Sequence, residues 1–320
     1  PRRVLLLGHL DTVWPVGQLA VMPYRREQGR IYGPGVYDMK AGVALGLLAV
    51  RALVESGRAG ALRVAMLWTS DEEIGSRASR GAIEEAARRS RAVLVLEPAL
   101  PGGALKTQRK ACGEFEVVVH GRAAHAGLEP EKGASAIHEL AEQILALERL
   151  NEAARGVTVN VGVVSGGSRA NVVADEARAL VDARAPTLDD AARLERAIRG
   201  LAPRRPGTRL EVRGGFERPP LERTEGVAEL FALAREVARE LGRDLAEGAA
   251  GGGSDGCFTA ALGIPTLDGL GPVGDGAHAP HEHVLEGELP WRAALVAGLL
   301  ARLAETASRP AGERRVGRSG

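Results

Sequence analysis

Cysteine is nearly missing from this chain. Cys112 and Cys257 are the only two in 320 residues, too few and too far apart in sequence for a disulfide framework. They read as reduced thiols packed as small apolar groups, in a cytoplasmic setting. An excess of either charge is missing too: Lys+Arg 42 against Asp+Glu 41 leaves +1. With no basic block ahead of the C-terminal tail, nothing points to nucleic acid or an anionic membrane as a partner. Long apolar runs are lacking, the longest being broken by Gly46 and Arg51, so no segment reads as a membrane span. The glycine-rich stretch at 250–256 lacks the Gly-Lys-Ser/Thr ending of a phosphate loop, which argues against nucleotide binding. There is no internal repeat.

What is present suffices for a sizeable core, with a hydrophobic share of 45% and a length that suits two domains. The apolar run Val4-Leu5-Leu6-Leu7 ends abruptly in GHLDTV, residues 8–13. Such a run reads as a buried strand of a parallel sheet, and the carboxyl ends of those strands are where open α/β folds hold ligands. His9 therefore stands where chemistry is expected. Asp11, two residues on in extended chain, points the same way and can accept from the His9 ring nitrogen that holds no metal. Alone, His-x-Asp is also an ordinary strand exit. The loop YGPGVY at 32–37 leads to Asp38, a natural N-cap for an apolar helix over 39–56. A second buried strand at 62–69 runs into SDEEIGS, a helix follows at about 78–90, and a third strand at 92–96 ends on Glu97-Pro98.

From Cys112 the pattern changes. Residues 114–119 alternate polar and apolar, a helix is expected at about 134–150, and strands at 157–164 and 177–184. A capping-box-like Thr187-Leu188-Asp189-Asp190 opens a helix to about 199, and 209–213 is a last strand. The order βαββαβ is that of a ferredoxin-like unit. The expected division is therefore an inserted domain at 108–217 within a discontinuous domain made of 1–107 and 218–320. The latter resumes with a helix at 224–241, a short strand at 264–267, a Gly/His-rich loop at 271–283 and a helix from about 290 to 306. Residues 309–320 read as a disordered basic tail.

His9, Asp38, the pair Glu72-Glu73, Glu97 and His278 all fall at strand ends or in adjoining loops. Adjacent Glu72 and Glu73 cannot point the same way, so one can face a metal while the other faces water. In the His-rich loop, His278, His281 and His283 are each able to bind a metal. Joined with GHLDTV, YGPGVYDMKAG, TSDEEIGS, LEP, GRAAHAGLEPEKGASAI, SRANVVAD, VDAR, GGGSDG and GDGAHAPHE, these residues make the chain resemble the M20 family of zinc metallopeptidases and amidohydrolases. It is most similar to the glutamate carboxypeptidase (carboxypeptidase G2-like) branch.

The resemblance implies an α/β fold: a zinc-peptidase-like catalytic domain with a central sheet, and an inserted ferredoxin-like domain that serves as lid and dimerisation element. It implies two Zn²⁺ per subunit, with Co²⁺ or Mn²⁺ as substitutes, bridged by Asp38. One ion is also held by His9 and Glu97, the other by Glu73 and His278. A cis peptide at Asp38–Met39, Glu72 as general base and proton shuttle, and Asp11 as the orienting carboxylate come with it. His125 would polarise the scissile carbonyl across a homodimer, while Arg184 and Asn171 hold a substrate carboxylate, which the arginine fork suits. Backbone N–H groups at 251–254, Gly253 and Ser254 among them, would face the same substrate. His281 and His283 are left as surface residues, and His120 and His138 as strand and helix positions.

Glu97, where aminopeptidase-like members more usually carry Asp, tilts the expectation toward a carboxypeptidase or N-acyl-amino-acid deacylase. The expected substrate is a small peptide or N-acyl amino acid, cleaved at the amide next to a carboxylate-bearing residue such as a C-terminal glutamate. The alternatives are an N-acetyl or N-succinyl amino-acid deacylase and a non-catalytic amino-acid-binding relative. Members usually carry a helical and strand segment ahead of the His-x-Asp strand, so Pro1 is read as the start of a truncated chain.

Overall fold

The computed structural model describes residues 3–308; the tail expected at 309–320 lies outside the described residues. The chain divides into two compact units. Among the described residues, one comprises those up to Gln108, then Glu222–Ala250 and those from Ser254 onward; the other is Arg109–Leu221 with Gly251–Gly253.

The first unit is built on a parallel sheet. Its strands are β1 (Arg3–His9), β2 (Arg63–Thr69), β3 (Ala92–Val95) and a two-residue strand, Thr266–Leu267, in the order Thr266–Leu267, β3, β1, β2. The apolar run of β1 is continuous because both faces are covered. Val4 and Leu6 join a core with residues of α1 (Ala41–Glu55), α5 (Glu225–Glu240) and α7 (Leu289–Ser308). Leu5 and Leu7 join another with Ile83 of α2 (Arg80–Arg88) and Phe258 of α6 (Gly256–Ala261). All four are fully buried. The register sets His9 beside Thr69, so the chain leaves β1 and β2 at the same sheet edge.

Asp38 is not the N-cap expected of it. The helix α1 starts at Ala41 after an uncapped Lys40, and Asp38 sits in the preceding turn with φ −115° and ψ 97°, outside helical space. The Asp38–Met39 peptide is cis. Helix α1 can lie close to the chain after β3 because Gly42 has no side chain: a Cβ there would come within 2.0 Å of the Leu96 carbonyl oxygen. Short antiparallel strands at Arg25–Glu27, Arg30–Tyr32, Gly274–Asp275 and His283–Leu285, and the helix α6, add to the elements expected from sequence. They are too brief to carry a period.

The second unit runs β4 (Ala111–His120), α3 (Ala136–Glu148), β5 (Thr158–Gly166), β6 (Glu176–Ala185), α4 (Leu188–Arg199) and β7 (Arg209–Arg218). Its sheet is antiparallel with the order β7-β4-β6-β5, the arrangement of a ferredoxin-like βαββαβ. Phe115, Val117 and Val119 alternate along β4 onto one core with Leu140, Leu147 and Ile198 from the two helices. Both helices are capped: Ser135 accepts from the His138 N–H, and Thr187 from the Asp190 N–H. Among the described residues no helix is long and apolar enough to cross a membrane.

Candidate metal centre

Five side chains of the first unit converge beyond the strand ends. His9 comes from the end of β1, Asp38 from the turn before α1, Glu73 from a single turn of 3₁₀ helix (Glu72–Ile74) after β2, Glu97 from just beyond β3, and His278 from the loop before α7. His9, Asp38 and Glu73 each offer a ligand atom, and these three atoms lie within 4.8 Å of one another. Asp38 divides its two oxygens. Oδ1 stands 3.3 Å from His9 Nε2, which is also 3.6 Å from Glu97 Oε1. Oδ2 stands 3.5 Å from His278 Nε2, which is 3.3 Å from Glu73 Oε2.

These separations are long for hydrogen bonds, and Asp38 Oδ1 and Glu73 Oε1 are buried with no hydrogen-bond partner. Buried carboxylates left that way are costly unless something positive completes them. Burial by itself pulls His9 down, but the facing carboxylates of Asp38 and Glu97, with the charges of Glu97 and Glu72, overrule it and push the ring up to about 12. Glu73 is raised by burial and by Asp38, with His278 and His9 opposing. The upward shift of His9 reports the carboxylates gathered around its ring. A divalent cation fits this cluster: the donors are imidazole and carboxylate, the mix that hydrolytic zinc sites use, and a bound ion would take the place of the His9 proton. His278 adopts φ +61°, unusual for a residue with a side chain.

The surroundings hold this geometry, in part by contacts other than those expected. His9 Nδ1 lies 3.1 Å from the backbone carbonyl of Asp11 and 3.4 Å from its Oδ1. The carbonyl is thus the ring's hydrogen-bond acceptor, and the Asp11 carboxylate instead accepts from the Glu73 N–H at 3.0 Å. Asp255 is a residue whose part went unread in the sequence. Buried, it accepts from Thr69 Oγ1 at 2.9 Å and from Ser76 Oγ, tying the Glu72–Ile74 turn to the end of β2. Its partners are remote in sequence, so no local signal could have found them. His283 is buried rather than a surface residue, with its ring 5.2 Å from that of Tyr32; His281 is exposed.

In the second unit, the exposed His125 accepts from the N–H groups of Gly127 and Leu128 at Nδ1, both at 3.2 Å. Since a backbone N–H can only donate, Nδ1 is the acceptor, and a neutral ring carries its proton on Nε2. Asn171 sits alongside, its carbonyl accepting from the Ala126 N–H. Arg184 is not an open fork: Nε and Nη2 meet the Asp182 carboxylate at 2.9 and 2.6 Å, and Nη1 donates to Cys112 Sγ. Cys112 is therefore a polar contact and not only a small apolar group, whereas Cys257 is buried. Gly253 accepts at its carbonyl from Arg109 Nη1. The neighbouring Ser254 belongs to the first unit, where it is fully buried and donates to Asp268 Oδ2, so its hydroxyl is committed to the fold.

A parallel sheet with histidine and carboxylates gathered at its strand ends is an arrangement that suits a metal-dependent hydrolase. The model of Peptidase family M20/M25/M40 matches residues 5–302, and the chain belongs to that family. It is 32% identical over 307 residues to "Carboxypeptidase G2" from Pseudomonas sp. (strain RS-16), covering 93% of this chain and 73% of that one. It is 30% identical over 319 residues to "Succinyl-diaminopimelate desuccinylase" from Xanthomonas oryzae pv. oryzae (strain PXO99A), covering 94% and 83%. Among solved structures, aminopeptidase PepT from Bacillus cereus ATCC 10987 superposes with a TM-score of 0.77 at 25% identity, covering 94% of this chain and 81% of that one.

Proposed function

We propose that this hydrolase uses two zinc ions to cleave the amide between an acyl or peptidyl group and a carboxylate-bearing amino acid, with a C-terminal glutamate as the leading candidate. The observation that carries the reading is the division of Asp38, whose two oxygens each face a different histidine, 3.3 Å from His9 and 3.5 Å from His278. A single carboxylate so placed suits a bridge between two ions, one completed by Glu97 and the other by Glu73. When bound, zinc would polarise a carbonyl and make water more acidic.

The rest falls to side chains. Glu72, beside the ligand Glu73, takes the proton from the attacking water and returns it to the leaving amine. His125 presents its Nε2 proton to the developing oxyanion, a role favoured by the two N–H groups that occupy Nδ1. Arg184 and Asn171 hold the substrate carboxylate, with Asp182 as the rival that holds the arginine fork until substrate replaces it. Backbone N–H groups near Gly253 and Ser254 complete that end.

Deacylation of an N-succinyl or N-acetyl amino acid is the second reading, supported by the desuccinylase likeness over 94% of the chain. A binding-only protein is disfavoured because Glu72 and all five ligands are present. Hydrolysis of an N-acyl-glutamate and of its α-amide, with wild type and Arg184→Ala, tests the carboxylate assignment. We expect KM for the acid to rise roughly 30-fold, equivalent to about 2 kcal/mol for a lost charge-assisted contact, and KM for the amide to change little. Equal changes would remove Arg184 from the substrate site.

The active unit is proposed to be a homodimer in which His125 serves the partner's metals. Equal mixing of Glu72→Gln and His125→Ala subunits should then restore about a quarter of wild-type activity, because half the dimers are mixed and each has one intact site. Mixed dimers that stay inactive would place His125 elsewhere.

A further inference from the structure

One buried acid of the first unit is absorbed by none of these roles. Glu282 is 1% exposed and touches no cationic side chain at hydrogen-bonding distance among the described contacts; its partners are four N–H groups. Oε2 accepts from Trp14 Nε1 and from the Gly35 N–H, each at 2.8 Å. Oε1 accepts from the N–H groups of Tyr37 at 2.9 Å and Asp38 at 3.1 Å. The carboxylate is thus shared two and two, with each oxygen taking a pair of donors.

The four donors come from two different stretches, and the acceptor from a third. Trp14 lies on the chain leaving β1, shortly after His9. Gly35, Tyr37 and Asp38 form the turn that ends in the bridging candidate. Glu282 itself follows His278 in the same loop, within a turn closed by its own N–H on the Ala279 carbonyl at 3.0 Å. One side chain therefore joins the three loops that carry His9, Asp38 and His278. The turn it grips is also hard to make otherwise: Gly35 has φ +71°, and a Cβ there would fall 2.2 Å from Thr12 Cγ2. The N–H of Asp38 is bonded to Glu282, so the backbone that aims the Asp38 carboxylate is fixed from behind.

We propose that Glu282 is a positioning residue for the metal centre, acting as an anionic clamp that holds Asp38 and draws the His9 and His278 loops into register before metal arrives. It coordinates nothing itself, since both oxygens are committed to N–H donors. The chemistry sets a sharp requirement. Two pairs of N–H donors converging on one group need two acceptors, which a carboxylate supplies and an amide does not. Glutamine has nearly the same size but must turn its NH₂ toward one of the pairs, setting donors against donors. A residue that merely filled space would tolerate that change.

This inference rests on the proposed two-metal site for its consequence, but the clamp can be tested without metal. Amide hydrogen exchange on metal-free wild type and Glu282→Gln should show faster exchange in the variant at Gly35, Tyr37 and Asp38, by tenfold or more, with β1 and α1 unchanged. In Zn²⁺-loaded protein, release of the ion to a chromogenic chelator should be at least tenfold faster for Glu282→Gln. Trp14→Phe removes one donor and leaves the three backbone N–H groups, so its Zn²⁺ release should quicken only a few-fold; this milder variant decides the matter if Glu282→Gln does not fold. Wild-type exchange at the three amides in Glu282→Gln, or wild-type Zn²⁺ release in the folded variants, would overturn the clamp. Wild type that takes up no Zn²⁺ would sink the two-metal reading instead, and the exchange rates would still judge Glu282.

Discussion

Asp38 in the first unit and Glu139 in the second each bury a carboxylate oxygen, and the two are treated in opposite ways. Glu139, fully buried on α3, is saturated: it accepts from the side chains of Gln143 and Thr208 and from the N–H groups of Arg204 and Arg205. Burial pushes it up, but those hydrogen bonds outweigh burial and hold its carboxyl below the usual carboxylate range. Asp38 has a buried oxygen with no hydrogen-bond partner and faces two histidines at more than 3 Å. A carboxylate that the chain itself satisfies is part of the fold; one that the chain leaves short, beside imidazoles and other carboxylates, is open to a ligand. Glu282 belongs with Glu139 by this measure although it stands beside Asp38, which is why its assigned part is to hold and not to bind.

The comparison can be broken most forcefully at the chemistry. Glu72→Gln keeps the shape of the proposed base and removes its function, so kcat should fall by roughly 10²-fold or more while metal content stays at the wild-type level. Loss of metal in that variant would mean that Glu72 is a ligand and that its role has been exchanged with that of Glu73.

A smaller effect is expected where the acid is structural. Glu139→Gln should destabilise the protein by about 1–3 kcal/mol, since N–H groups that met an anion lose an acceptor, without altering Zn²⁺ binding. Chemical denaturation with a metal titration on the same samples checks both halves, and altered Zn²⁺ binding would erase the distinction drawn here. The smallest effect is the pH dependence of that gap. A folded-state pKa held below its unfolded value contributes stability above the unfolded value, and the contribution is lost as pH falls through the folded one. Wild type and Glu139→Gln should therefore converge in stability below the ordinary glutamate range. A gap that widens on acidification would show that the hydrogen bonds to Glu139 do not favour its ionised form.

Much of this was legible in the residues. The apolar run of β1 announced a strand covered on both faces, and Val4 to Leu7 are fully buried. The alternation along 114–119 announced a sheet with one core face, and Phe115, Val117 and Val119 point into it. The contacts that failed to show were those made by backbone. The acceptor for His9 Nδ1 is the Asp11 carbonyl, which any residue at that position offers, so a reading of side chains assigned the bond to the carboxylate. Asp38 resembled an N-cap because Asp before an apolar helix usually is one; here the Val36–Lys40 turn, held by Glu282, carries it away from the helix end. Arg184 was visible as an arginine at a strand end, but its engagement by Asp182 two residues earlier depends on how the side chains fold back along β6.

Metal content decides the central claim most directly. Wild type and Asp38→Asn, each saturated with Zn²⁺ and freed of excess, should be measured for bound metal per chain. If Asp38 bridges two ions, wild type holds two per chain and Asp38→Asn loses tightly bound metal from both positions, because each had relied on one oxygen of the same carboxylate. Wild type holding one ion or none, or Asp38→Asn retaining two with unchanged affinity, would contradict the account.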